Sequence, residues 1–376
     1  NVVLTAGTGM SFAAGTTVQA DDDVTINGGG TAGTNTLTLG ILSSGQDAGA
    51  GNVVIGGSDS DPNVVIAGVV TATGGYVDIR GNDVTLAGVT AGAGNSGVGV
   101  KVLAGNDVTL GSTVTTTDGT GGSIDVDATN EVTVSGALDS DDAILITTTN
   151  DDVNLAVNLE ADGLIDLDAG ANVLQTAGNL LAGGDVSLDA ATLIDLDGTI
   201  GDTTAIGGAV TIGTNTAPST GVQMAAASLV DATGDVTIRG GALTLDKITS
   251  VGSTGITATA SSGDLALVDN LTTTDGDNAG SISLTATAGA ITNASAITLD
   301  SDDNVVLTAG TGMSFAAGTT VQADDDITAN GGTAGGAAGA DAVSLGILTA
   351  GHDSVAGNVL IGSSDSDPNV VIAGVV

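Results

Sequence analysis

Residues 81–86, GNDVTL, return unchanged as residues 105–110 after an interval of 24 residues. Each copy places a polar turn, Gly-Asn-Asp, before a short run of strand-forming residues. Successive side chains of a strand point to opposite faces, so Val84 and Leu86 share one face while Thr85 lies on the other. A unit this small cannot bury its apolar face alone, and the repeat therefore predicts a stack of similar units.

Short apolar runs continue this period along the chain in two interleaved rows. One row includes residues 77–79, 100–102 and 124–126, and the other includes residues 84–86 and 108–110. Steps within a row are about 20 to 26 residues. Two rows with one shared period predict an all-β fold, a parallel β-helix or β-solenoid, with a third and weaker strand in the longer interval of each coil.

The composition indicates which side chains can fill the core. Hydrophobic residues make up 41% of the chain, yet the aromatic residues are only Phe12, Tyr76 and Phe315. We therefore expect a narrow interior of Val, Ile, Leu and Ala with no room for aromatic rings. Glycine occurs 61 times and interrupts the stiff Val, Ile and Thr residues too often for helices. A β-sandwich array is the structural rival, but immunoglobulin-like repeats bring a buried Trp or Tyr and units of about 100 residues.

A longer repetition lies over the coils. Residues 1–23 recur unchanged as residues 304–326, and residues 51–70 recur as residues 357–376 with two substitutions. The long repeat is thus about 303 residues, spanning 1–303, and the next copy begins at residue 304. We predict a single continuous β-solenoid over residues 1–376, without a separate catalytic domain, that forms part of a longer chain.

A weaker internal repeat has about half that length. The sequence VDIRG at residues 77–81 matches VTIRG at residues 236–240, and LDSDD occurs at both 138–142 and 299–303. One coil was evidently duplicated into blocks, and the blocks into the long repeat. Residues that differ between equivalent blocks are not required by the fold.

Charge restricts the partners. Four Lys and Arg residues stand against 44 Asp and Glu residues, a formal net charge of −40, while the mean hydropathy is +0.38. The apolar periodicity predicts an ordered chain with its acids outside. Nucleic acid and an anionic membrane surface would be repelled, so we expect neither as a partner. No apolar run reaches the roughly 18 residues of a membrane helix, and no cysteine can form a disulfide.

Stretches such as GDVSL at 184–188 and ATLIDLD at 191–197 resemble the repeats of filamentous haemagglutinin-type surface proteins and related giant repetitive adhesins. The resemblance implies a right-handed parallel β-helix at the extracellular surface of a Gram-negative cell. It implies self-association, end to end or laterally, into fibres, and contact with a host or neighbouring cell surface. The expected function is a structural section of a giant extracellular fibre or adhesin, giving mechanical reach and display.

Catalytic residues are hard to find. The basic residues are Arg80, Lys101, Arg239 and Lys247, and Arg80 and Arg239 stand at equivalent places in duplicated blocks. His352 aligns with Gln46 in the preceding long repeat. No common catalytic motif occurs, so we predict no catalytic residue, no enzyme and no organic cofactor. The alternative is a polysaccharide-acting β-helix enzyme, which a groove lined by charged residues of one coil only would favour.

Acidic clusters are the remaining candidates. They sit at turns before strands, where Asp satisfies backbone donors, and that is the favoured interpretation. Hard oxygen ligands in loops also suit Ca²⁺, so a calcium-dependent surface assembly module is a third hypothesis. Its candidate ligands, of weak affinity, are Asp21, Asp22, Asp23, Asp139, Asp141, Asp142, Asp300, Asp302 and Asp303, and further acidic pairs are Asp59 with Asp61, Asp151 with Asp152, and residues 324–326.

Threonine runs occur at residues 115–117, 147–149 and 272–274. Flat threonine rows on a solenoid can order water as ice does, but no T-x-T pattern recurs in every coil. Outward threonine is also simply a good strand residue. We therefore interpret these runs as strand surface.

Overall fold

A computed structural model describes residues 1–28, 34–47, 49–56, 62–92, 97–117, 122–202, 204–213, 217–274, 279–332, 342–352, 356–362 and 369–376. These residues form β-strands, turns and bends, and no helix is found among them, so none is present there that could cross a membrane. The chain divides into two compact units, residues 1–184 and 185–376. Each unit is a stack of coils with up to three strands per coil, which we name faces A, B and C in chain order.

In the first unit the strands alternate A, B, C along the chain, and two long strands run through both B and C. Face A consists of Val2–Ala6, Val24–Gly28, Val53–Ile55, Val77–Gly81, Val98–Ala104, Ser123–Ala128, Ile144–Thr148 and Ile165–Ala169. Face B consists of Met10–Ser11, Thr36–Leu39, the first halves of Asn63–Ala72 and Val84–Ala91, then Val108–Leu110, Val132–Val134, Val153–Leu155 and Asn172–Gln175. Face C consists of Thr17–Gln19, Ile41–Ser44, the second halves of Asn63–Ala72 and Val84–Ala91, then Val114–Thr116, Leu138–Ser140, Leu159–Ala161 and Asn179–Ala182.

The second unit has the same order of faces. Face A consists of Val186–Ala190, Val210–Ile212, Val236–Gly240, Ile256–Ala260, Ile282–Ala286, Val305–Ala309, Ile327–Gly331 and Val359–Ile361. Face B consists of Leu193–Leu196, Gly221–Met224, Ala242–Leu245, Leu265–Leu267, Ala290–Asn293, Gly312–Ser314, Ala342–Leu345 and Asn369–Ile372. Face C consists of Thr199–Ile200, Leu229–Ala232, Lys247–Ser250, Leu271–Thr273, Thr298–Ser301, Thr320–Ala323 and Ile347–Ala350.

Within each unit, coils pair in parallel with the coils before and after them. Val84, Thr85 and Leu86 lie opposite Val108, Thr109 and Leu110, so the two GNDVTL copies stack directly. The coil length is about 23 residues. The predicted β-solenoid is confirmed: the two rows seen in the sequence are faces A and B, and the weaker third strand is face C. The right-handed sense and the continuity of one solenoid over the whole chain stay predictions.

The core is a set of aliphatic ladders. Inward side chains of neighbouring coils stack on each other, as Ile124, Ile144 and Ile165 do on face A, each 0% exposed. Faces A, B and C each bury alternate residues, because strand side chains alternate in direction. The expectation that no ring would fit is wrong at one place. Phe315 is only 5% exposed, at the corner that follows Gly312–Ser314 and not on a face.

Candidate functional site

The corner between faces A and B of the first unit holds a ladder of asparagines. The side-chain amide of Asn130 donates to Oδ1 of Asn106, and Nδ2 of Asn106 donates to Oδ1 of Asp83 at 2.6 Å. The backbone follows the same path, since Asn106 N–H donates to the carbonyl of Asn82 at 2.7 Å. Asn150 continues the ladder with a 3.4 Å bond to Asn130. The polar turn of each GNDVTL-like unit thus joins one coil to the next.

Acidic side chains do the same at the corner between faces C and A. Oδ1 of Asp23 accepts from both the backbone N–H and Nδ2 of Asn52, each at 3.0 Å. Asp326, the equivalent of Asp23 in the next long repeat, binds Asn358 in the same way at 2.8 and 2.9 Å. Turn acids therefore satisfy backbone donors as predicted. For Asp23 and Asp326, however, the donors lie in the following coil and not in the same turn.

A duplicated polar cluster fills the same corner at two places. The backbone N–H of Asp141 donates to Oγ1 of Thr116 at 3.0 Å, and Ser140 donates to the carbonyl of Gly122 at 2.9 Å. Ser123 donates to a carboxylate oxygen of Asp142 at 3.0 Å.

The second copy repeats every one of these contacts. The backbone N–H of Asp302 donates to Oγ1 of Thr273 at 3.0 Å, and the hydroxyl of Ser301 donates to the carbonyl of Gly280 at 2.9 Å. The hydroxyl of Ser281 donates to a carboxylate oxygen of Asp303 at 2.7 Å. Thr116, Ser140, Thr273 and Ser301 are all buried. The LDSDD motif thus joins neighbouring coils by hydrogen bonds that involve buried side chains.

The candidate calcium ligands are dispersed over the corners between faces C and A and over face C itself. Asp139 and Asp300 were predicted in turns, but they lie on the outward sides of the face C strands Leu138–Ser140 and Thr298–Ser301. Asp21, Asp22 and Asp139 are exposed, and Oδ1 of Asp300 accepts from Nε2 of Gln322 at 2.7 Å. Within the described ranges, no three His, Asp or Glu side chains are grouped so as to hold one metal ion. Asp59 and Asp61 lie outside the described residues. Calcium binding stays a prediction.

Basic residues are placed differently in the two units. Arg80 and Arg239 both lie on the outward side of face A, in equivalent strands. Arg80 contacts Asp78 with Nη2 to Oδ2 at 3.0 Å, whereas the residue in the equivalent position beside Arg239 is Thr237. His352 is exposed, and its backbone N–H donates to the carbonyl of Ala323 as Gln46 does to that of Ala20. The alignment of His352 with Gln46 is confirmed.

Lys101 lies at the centre of a charged row on face A of the first unit. Its neighbours in the coils before and after are Asp78 and Asp125. Nζ of Lys101 contacts Oδ2 of Asp125 at 2.6 Å and Oδ2 of Asp127 at 3.9 Å. The hydrogen bond to Asp125 outweighs partial burial and, with the charges of Asp125, Asp127 and Asp78, raises the pKa of Lys101. The amine therefore stays protonated and cannot act as a general base at neutral pH.

Three carboxyl groups also have perturbed acidity. Burial, with the charge of Asp125, raises the pKa of Asp127, and burial, with the charge of Asp197, raises that of Asp195. Asp246 is 2% exposed at the corner between faces B and C of the second unit. Burial raises the pKa of Asp246 although backbone N–H groups of Ala227, Ser228 and Lys247 donate to it, and its Oδ2 atom has no hydrogen-bond partner.

A pocket of about 390 Å³ lies beside the first residues of two neighbouring face A strands of the first unit, Val77–Gly81 and Val98–Ala104. It is lined by Tyr76, Val77, Asp78, Val98 and Lys101. Sequence reasoning missed it, because Tyr76 and Lys101 are 25 residues apart and come together only when their coils stack. The available signal was that the sole tyrosine and two of the four basic residues occur within about one coil of each other.

Face A of the second unit carries hydroxyls where the first unit carries charges. Thr237, Thr257 and Ser283 lie opposite one another in consecutive coils, and so do Thr259, Thr285 and Thr308. We call these six residues the hydroxyl strip. Its neighbours in register are Thr211, Arg239, Val306 and Asn330, so no carboxylate interrupts it.

Comparison with known proteins assigns no family: the chain matches no protein-family model, no curated protein and no solved structure.

Proposed function

We propose that this chain is a structural section of an extended extracellular β-solenoid of the filamentous haemagglutinin kind, serving mechanical reach and display at a cell surface. The observation that carries the proposal is the direction of pairing. Within each unit, strands of successive coils pair in parallel, as face A does from Ile256–Ala260 through Ile282–Ala286 to Val305–Ala309. A parallel stack of this kind grows along one axis without changing its cross-section.

Side-chain chemistry supports an exposed shaft. Acids and asparagines at the corners hold successive coils together. Acidic residues on the outward sides of strands, such as Asp139, Glu160 and Asp168, are exposed to solvent. A formal net charge of −40 keeps such shafts soluble and apart. Mechanical function of this type requires no unique catalytic residue.

Lateral association is the partner interaction that we propose, with a second copy of the chain as the partner. Two chains of this charge repel each other, so contact is favoured where carboxylates are missing. The hydroxyl strip meets that condition, and its hydroxyls can both donate and accept hydrogen bonds, directly or through water. Four of the six equivalent positions in the first unit are charged and do not fit this role: Asp78, Lys101, Asp125 and Asp127.

Negative-stain electron microscopy of the native protein tests the fibre proposal. We expect long, thin, unbranched threads, because coils add along one axis. Compact particles would contradict the proposal. Parallel grids with EDTA test calcium-dependent assembly: threads that shorten or dissociate support it, and threads that keep their length distribution count against it.

A further inference from the structure

The pocket between Tyr76 and Lys101 on face A of the first unit differs from the rest of the shaft. Its volume of about 390 Å³ is near the lower end of the range of small-molecule sites, roughly 300–1,000 Å³. Its lining combines the ring of Tyr76 and the apolar Val98 with the carboxylate of Asp78 and the ammonium of Lys101. Aromatic, apolar, acceptor and donor groups thus converge on one small space.

The two charged groups of the pocket are already neutralised by neighbours. Both carboxylate oxygens of Asp78 accept from Arg80, at 3.1 Å from Nε and 3.0 Å from Nη2. Lys101 donates to Asp125 at 2.6 Å. A carboxylate has about four acceptor sites and an ammonium has three donors, so both keep hydrogen-bonding capacity for a ligand. The pocket therefore provides directional hydrogen bonds without an unbalanced charge.

Those features point to an uncharged ligand with one apolar face and several hydroxyls. A pyranose sugar ring has both, since its C–H groups pack on an aromatic ring while its hydroxyls project from the edge. An acidic sugar would be repelled by the surrounding carboxylates, and a cation would meet Lys101. We infer that this pocket binds a neutral saccharide ring, stacked on Tyr76 with its hydroxyls hydrogen-bonded to Asp78 and Lys101.

The duplicated half of the long repeat provides an internal comparison. In the equivalent strands of the second unit, Asp235 stands for Tyr76, Thr237 for Asp78 and Thr257 for Lys101. The β-solenoid forms equally well with either set, so the fold does not require the aromatic ring or the charged pair. The inference does not depend on the fibre proposal, because a saccharide site on face A needs only the coils that form it.

Tyr76 makes the test site-specific. The chain contains one Tyr and no Trp, so its tyrosine fluorescence reports on this pocket alone. We would titrate the 376-residue chain with the methyl glycosides of glucose, galactose and N-acetylglucosamine, with methyl glucuronide as an anionic probe and choline as a cationic probe. We expect a saturable change in Tyr76 emission with at least one neutral glycoside, with a Kd on the order of 1 mM for so small a ligand.

Variants separate the pocket from non-specific binding and are read by saturation-transfer NMR, which needs no tyrosine. Lys101→Met and Tyr76→Ala should each weaken binding by about tenfold or more, which is a difference of about 1.4 kcal/mol. Tyr76→Phe, which keeps the ring, should bind within a few-fold of the wild type, and Thr257→Met, at the equivalent position of the second unit, should have no effect. Circular dichroism establishes that each variant is folded.

Three results would overturn the inference. One is no response to any neutral glycoside up to about 50 mM, well above the expected Kd. Another is tighter binding of the glucuronide or of choline than of every neutral glycoside. The third is wild-type affinity in Lys101→Met.

Discussion

The backbone N–H of Asp141 donates to Oγ1 of Thr116 at 3.0 Å, and these two residues, 25 positions apart in sequence, lie in adjacent coils. Thr116 is 1% exposed, and its own hydroxyl donates to the carbonyl of Gly122. Asp302 and Thr273 repeat the relationship at the same distance. A buried hydroxyl that both donates and accepts is a structural requirement of this corner.

Thr116→Val should therefore destabilise the first unit by about 1–3 kcal/mol, because it leaves the Asp141 N–H without its acceptor. Urea denaturation gives the free energy of unfolding, and faster hydrogen exchange of the Asp141 amide locates the effect. Thr115→Val, on the outward side of the same strand, is the matched control and should be nearly neutral. Thr273→Val should reproduce the loss in the second unit, and a neutral effect at both sites would contradict this account.

Asn106→Asp tests the corner ladder. The side-chain amide of Asn106 donates to Asp83 at 2.6 Å and to Asp107 at 3.1 Å, so a carboxylate there replaces two attractive contacts with repulsion between like charges. We expect a loss of about 1–3 kcal/mol in the free energy of unfolding, reduced in 1 M salt, where the Debye length is about 3 Å.

The control for the ladder is Asn27→Asp, which adds the same charge on the outward side of face A. It should cost little. Equal losses in the two variants would mean that added net charge, and not the ladder, is responsible.

Asp246→Asn should be neutral to stabilising at pH 7, by on the order of 1 kcal/mol. The folded-state pKa of Asp246 is raised, so the wild type has its full stability below the ordinary aspartate value of about 3.9 and loses the Asp246 contribution as pH rises through the folded pKa. The variant does not titrate at this position.

The measurement for Asp246 is the melting temperature of both proteins from about pH 4 to pH 8, starting near the ordinary aspartate pKa. The difference in favour of Asp246→Asn should grow as pH rises and then level off. Asp166→Asn, on face A of the first unit, is the control. Parallel curves for wild type and Asp246→Asn would show that burial of this carboxyl has no energetic consequence.

Ala227 stands beside that carboxyl with a φ of 77°, the left-handed region that favours glycine. Ala227→Gly should stabilise the second unit by about 1 kcal/mol, because the left-handed conformation costs an alanine roughly 1–2 kcal/mol. Calorimetry would show a higher melting temperature for the variant. A lower melting temperature would mean that restriction of the unfolded chain by Ala227 outweighs the strain.

The hydroxyl strip is tested by charge. Thr257→Asp with Thr285→Asp places two carboxylates where the structure has none, so lateral association of copies should be lost. For the wild type, sedimentation should show association that strengthens from 0.01 M to 0.15 M salt, as the Debye length falls from about 30 Å to about 8 Å. Thr147→Asp, on face A of the first unit, is the control. Unchanged association of the double variant would exclude the strip as the contact.

Much of the fold followed from local patterns. The alternation of Val84, Thr85 and Leu86 identified an inward and an outward side, and the period placed faces A and B where the structure has them. The acidic turns were also correctly interpreted as acceptors of backbone hydrogen bonds. Face C was less evident, because its strands are as short as Thr199–Ile200 and are separated by intervals of variable length.

The candidate site was not predictable in the same way. Tyr76, Asp78 and Lys101 meet only because the stretch of chain from Tyr76 to Lys101 completes one coil. The six residues of the hydroxyl strip align only because four successive coils keep register. In the sequence, the threonine runs drew attention, whereas the strip is built from threonines spaced about a coil apart.

Burial of a single leucine separates what the sequence determined from what the tertiary structure decided. Leu307 is 0% exposed and lies in register between Leu284 and Ala329. These two residues are 23 and 22 positions away along the chain. The sequence by itself determined the strand, its inward side and its turn, because alternation and turn chemistry are local. Only the tertiary structure decided which coils cover each residue, because register depends on the length of every coil between them.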